Sequence, residues 1–108
     1  KMWKENEYLI DPHTAVAFHV LEEYRAETGD GTPAVVVSTA SPFKFCSSVL
    51  TALGVKGHKP GVEILDQLSQ YTGVPVPMPL ARLKNKQRRF SGSIQPAGMM
   101  DCVLDFLK

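Results

Sequence analysis

A chain of 108 residues holds one domain at most, and its 44% hydrophobic and 21% charged residues argue against disorder of the whole chain. The net charge of +1, from 12 Lys and Arg against 11 Asp and Glu, argues against nucleic-acid or membrane-surface binding, which draws on a basic excess. No apolar run approaches the roughly 18 residues of a membrane span, no signal-peptide stretch follows Lys1, and two cysteines without metal-ligand spacing suit a reducing cytoplasm.

Residues 1–9 carry no assignable pattern. Asp11 suits a helix N-cap, because its carboxylate accepts from backbone N–H groups that lack partners inside the helix. Pro12 suits the first helical position, where a missing N–H is harmless. Ala17, Val20, Leu21 and Tyr24 fall on one face, and Gly29 is a left-handed stop, so a helix is predicted over about residues 12–28. After the turn Gly31-Thr32-Pro33, the run Ala34-Val35-Val36-Val37 is apolar on both faces. That pattern predicts a strand buried between layers, as in a parallel sheet.

Ser41 as cap and Pro42 as first residue open a second helix. It buries Phe45, Cys46, Val49, Leu50 and Leu53 and stops at Gly54. His58 sits in the following Lys- and Gly-containing loop and is expected to face solvent. A third helix carries Ile64, Leu65, Leu68 and Tyr71 and ends at Gly73. Pro75, Pro77 and Pro79 forbid regular structure, apart from a short helical turn from Pro79 through Leu83. Pro96 opens a last helix with Met100, Val103, Leu104 and Leu107 on its apolar stripe. Cys46 and Cys102 read as core residues.

The fold class expected is α/β, mostly helices with one buried strand. A lone apolar strand cannot satisfy its backbone or cover both faces without flanking strands. Such strands lie either elsewhere in the chain or in sequence outside it, and the second alternative makes residues 1–108 the end of a larger protein. The first residue, Lys rather than Met, is read as the start of a tagged or excised piece.

Two segments carry a resemblance. Asp11-Pro12-His13-Thr14-Ala15-Val16-Ala17 resembles the DPHTAVA segment of threonine synthases, and Val37-Ser38-Thr39-Ala40-Ser41-Pro42-Phe43-Lys44-Phe45 resembles their xSTAxPxKF segment. Leu65 to Ser69 and Thr72 to Pro77 are similar to the family's C-terminal region, so the resemblance covers roughly residues 8–83. It implies a C-terminal segment of a tryptophan-synthase-like, pyridoxal-phosphate fold. The implied reaction turns O-phospho-L-homoserine and water into L-threonine and phosphate in the cytoplasm. It also implies that the cofactor-bearing lysine and the loop cradling the cofactor phosphate lie in a missing N-terminal part, the chain's main partner, so the segment alone is inactive.

The same resemblance places residues around the site. Thr39 follows the carboxyl end of the apolar run, where ligands bind in open α/β sheets. It is the candidate hydroxyl for the cofactor's pyridine nitrogen, with Ser38 the alternative donor. The competing reading of Thr39 is a helix-entry hydroxyl bonding its own backbone. Lys44 lacks the Phe-Lys-Asp context of a cofactor lysine, since Phe45 follows it. It is either a solvated first-turn lysine or an ammonium facing the substrate phosphate. His13 is either a neutral imidazole near the substrate or a packing contact. The basic segment with Lys84, Lys86, Arg88 and Arg89 beside Phe90 reads as solvated surface, not as a nucleic-acid site. Rival readings are another enzyme of the same fold type, such as a dehydratase or cysteine synthase, and a non-catalytic binding module.

Overall fold

In the computed structural model, residues 1–87 and 89–108 are described. The first helix, α1, spans Met2–Asn6, within the stretch that carried no pattern in the sequence. Helix α2 spans Pro12–Thr28 and begins as its sequence dictates: the Asp11 side chain accepts from the N–H groups of His13 and Thr14, and Pro12 occupies the first turn. It ends at Gly29, whose φ of 70° is the left-handed region where a side chain would strain. The turn beyond is tied to the helix. The Asp30 carboxylate accepts from the Thr32 N–H at 2.8 Å and the Tyr24 hydroxyl at 3.0 Å, and Arg25 donates to the Thr32 carbonyl at 2.8 Å.

A 3-10 turn, Pro42–Phe45, is capped by Ser41 and runs directly into α3, Cys46–Ala52. Helix α4 spans Glu63–Thr72 and stops at Gly73, φ 73°. Helix α5, Met78–Ala81, runs into a 3-10 turn over Arg82–Asn85, and a 3-10 turn at Pro96–Gly98 opens α6, Met99–Phe106. No helix is long and apolar enough to cross a membrane among the described residues.

The core lies where the 3-10 turn and α3 pack on α4. Phe43, Cys46, Val49, Leu50, Leu65 and Leu68 are buried there, with Leu9, Leu53, Val74 and Leu80 among the residues closing its edges. Leu50 and Leu68 are 0% exposed. The remainder is open. The chain measures 59 × 33 × 24 Å with a radius of gyration of 18.9 Å, against about 13 Å for a compact domain near this length.

The α/β expectation is overturned. The described residues form helices and turns with no strand. Ala34–Val37 has no regular structure and no ladder, with Val35 91% and Val37 72% exposed. A strand exists only through hydrogen bonds to a neighbour, and no described segment runs beside this one to supply them. The apolar stripes of α2 and α6 form helices as expected but are not buried: Val20, Tyr24, Met100, Val103, Leu104 and Leu107 are exposed. Tyr71 is exposed too, with its hydroxyl donating to the Leu53 carbonyl at 3.3 Å. Cys46 is buried as expected, while Cys102, on the unpacked α6, is exposed.

Candidate functional site

The two segments that resemble one family meet in space. Asp11 caps α2 from a fully buried position, 0% exposed. Its carboxylate accepts from the His13 N–H at 2.9 Å, the Thr14 N–H at 3.4 Å, and the Thr14 hydroxyl. The Thr14 hydroxyl bond, reinforced by the two backbone N–H groups and the His13 ring, holds the Asp11 carboxyl below the ordinary carboxylate range against the opposing effect of desolvation. Thr14 is 3% exposed. Its hydroxyl oxygen also lies 3.2 Å from Ser38 Oγ, which joins the first turn of α2 to a loop 24 positions later. His13 Nδ1 lies 3.1 Å from Asp11 Oδ1, and the imidazole meets the Phe45 ring edge-on at 5.0 Å between centroids. One buried carboxylate thus organises Thr14, His13 and, through Thr14, the Ser38 turn.

The predicted site residues divide accordingly. Ser38 and His13 are brought together through Asp11 and Thr14. Thr39 follows Ser38 in the same loop, exposed, with no side-chain hydrogen bond among the described residues. Lys44 lies on the 3-10 turn with an exposed side chain, and its N–H donates to the Ser41 carbonyl at 3.0 Å. Its neighbours Phe43 and Phe45 turn inward, one buried and the other against His13.

Asp11 is legible in the sequence as a helix cap and Thr14 as a first-turn residue beside His13, but not as the anchor of the Ser38 turn. An Asp cap followed three positions later by a Thr is the local signal that links them. The Ser38 contact is long-range and leaves no such trace. His58 corrects its expectation as well: it is half-buried, with Nδ1 2.8 Å from Ser47 Oγ and Nε2 3.4 Å from Thr51 Oγ1. Ser47 and Thr51 are four positions apart on α3, a spacing that puts two hydroxyls on one face.

Two hollows flank the network. One, of about 470 Å³, lies between α1, the start of α2 and α3, with Trp3, Tyr8, Leu9 and Phe18 in its wall. A shallower one, about 600 Å³, lies beside Lys44, Ile64 and Leu80. Neither is lined by Ser38 or Thr39. The first hollow carries Lys1, His19 and Glu22 beside its apolar wall; the Ser38-Thr39 turn, where the two segments meet, offers two adjacent hydroxyls on a buried anchor and is the candidate site. Among the described residues no three His, Cys, Asp or Glu side chains gather to hold a metal ion.

In the basic segment Lys84 pairs with Asp66, and the Arg89 guanidinium lies 5.7 Å from the Phe90 ring centre. Arg88, counted in that segment, lies outside the described residues.

Comparison with known proteins gives a consistent result. Residues 14–95 match the family described as "Threonine synthase, C-terminal". A threonine synthase of Corynebacterium glutamicum is 42% identical over 52 residues, 48% of this chain and 10% of that protein. The mouse protein named "Threonine synthase-like 1" is 34% identical over 84 residues, 75% of this chain and 11% of that protein. The matched stretches span about a tenth of either relative. No solved structure matches the chain at a significant level.

Proposed function

The chain belongs to the threonine synthase C-terminal family, and from that premise we propose that it is the C-terminal segment of a pyridoxal-phosphate enzyme converting O-phospho-L-homoserine and water to L-threonine and phosphate. The observation that carries this reading is the meeting of the two family-like segments, where Asp11 and Thr14 anchor Ser38 and leave the Thr39 hydroxyl exposed. The cofactor, when bound, supplies an electron sink for carbanion chemistry on the amino-acid substrate.

The residues present fit one contact of that cofactor. An exposed hydroxyl can donate to the pyridine nitrogen without holding it protonated, unlike a carboxylic acid or an ammonium. In this reading Thr39 makes that contact and fixes the ring. Lys44, exposed beyond the same turn, attracts the substrate's phosphate. His13, held between Asp11 and Phe45, shapes the approach to it. The lysine that carries the cofactor and the loop that cradles its phosphate come from the N-terminal part of the same protein. That part also covers the exposed Val35 and Val37 and the apolar face of α2, and without it this segment does not turn over. Both cysteines are free, which supports a cytoplasmic site of action.

Similarity to a protein named only threonine synthase-like favours one alternative, a related protein that binds ligand without catalysing this reaction. Variants at position 39 of the intact protein test the reading. Thr39→Val keeps the volume and removes the donor, so pyridoxal-phosphate affinity falls by roughly one to two orders of magnitude and turnover falls with it. Thr39→Ser retains most of both. Normal affinity and turnover in Thr39→Val would leave Thr39 a helix-entry residue.

A further inference from the structure

We propose that Thr14 is a positioning residue that sets the direction of the hydrogen bonds at this turn: held by Asp11, it takes the proton of Ser38 and leaves Thr39 the one hydroxyl of the pair able to donate to a ligand. The inference rests on the reading that this turn meets the cofactor's pyridine nitrogen, and it follows from counting protons. A threonine or serine hydroxyl has one proton and two lone pairs, and an ionised carboxylate has lone pairs alone. Asp11 is buried and accepts from the Thr14 hydroxyl. The two backbone N–H groups on the same carboxylate favour its ionised form. The single Thr14 proton is therefore committed to Asp11.

The 3.2 Å contact between the Thr14 and Ser38 oxygens then needs a proton from the other side, and Ser38 is its source. Ser38 donates to Thr14, Thr14 donates to Asp11, and the chain of donors ends on the carboxylate. Hydrogen bonds in series polarise one another in the same sense, which strengthens this order. Ser38 is left with lone pairs and can only accept, for instance from an N–H of a bound amino acid. Thr39 has no side-chain hydrogen bond among the described residues and keeps its proton for the ligand. Two adjacent hydroxyls, equivalent in the sequence, thus become one acceptor and one donor.

The test uses the intact protein and two readouts. Neutron diffraction of deuterated crystals locates the deuterons directly. The expected map has the Thr14 deuteron on the line to Asp11 and the Ser38 deuteron on the line to Thr14, and a Ser38 deuteron pointing away from Thr14 overturns the proposal. Titration with pyridoxal phosphate is expected to show Thr39→Val weakened roughly 10- to 100-fold. If Thr39→Val binds the cofactor normally while the deuterons lie as expected, the proton order stands and the cofactor contact at Thr39 fails, so the two failures are distinct.

Discussion

Replacing Thr14 by Val keeps the side-chain volume and removes one oxygen, in a residue only 3% exposed. The lost hydroxyl has two partners, a buried carboxylate and Ser38 Oγ at 3.2 Å. A hydrogen bond to a charged group contributes about 1.5–3 kcal/mol and a neutral one about 1 kcal/mol. The upper end of that sum is not reached, because the carboxylate keeps the His13 N–H at 2.9 Å. A loss of about 2 kcal/mol follows for the local structure, which is about a 30-fold rise in the population of its opened form. Amide hydrogen exchange reads this without reference to the rest of the protein. The His13 and Thr14 amides, which donate to Asp11, should exchange about 30-fold faster in Thr14→Val, and near the wild-type rate in Thr14→Ser. Unchanged exchange in Thr14→Val would show that the Thr14 hydroxyl does not hold the first turn of α2 on Asp11, and the argument for its role in the site would fall with it.

Acid should act on the same network. The folded-state pKa of Asp11 is depressed, so its contribution is fully present above the ordinary value of 3.8 and is lost as pH falls below that toward the folded value. Protection factors of the same amides, corrected for the intrinsic pH dependence of exchange, should fall below about pH 4, and Asp11→Asn should remove that acid dependence. In the core, Leu68 is 0% exposed, and Leu68→Ala should lower stability by about 2–5 kcal/mol. Leu104, half-exposed on α6, should change stability by less than about 0.5 kcal/mol when replaced by Ala. Urea unfolding of the two variants of this chain checks the contrast, and equal effects would mean that α6 packs on the core.

Helix boundaries were legible because their signals are local. Asp11 with Pro12, Ser41 with Pro42, and Gly29 and Gly73 each act within a few residues of the chain, and each sits where its chemistry places it. The Ala34–Val37 run forms no strand because β-structure is a property of two segments, which an apolar pattern in one segment does not report, and no described segment pairs with it. The stripes on α2 and α6 identified helices correctly, but an apolar stripe does not say what covers it, and here those faces stay open. At the candidate site the separate motifs were visible and their junction was not. Thr14 and Ser38 are 24 positions apart, and no periodicity links a hydroxyl on a helix to one on a distant loop. A polar loop places His58 in solvent by sequence alone, whereas Ser47 and Thr51 on α3 engage both of its ring nitrogens.

The measurement that bears most directly on the account is turnover of O-phospho-L-homoserine by the intact protein with pyridoxal phosphate, following phosphate release and threonine formation together. The account predicts both products in equal amounts, with the rate falling in Thr39→Val and retained in Thr39→Ser. Absence of threonine and phosphate from a cofactor-loaded, folded protein would contradict it.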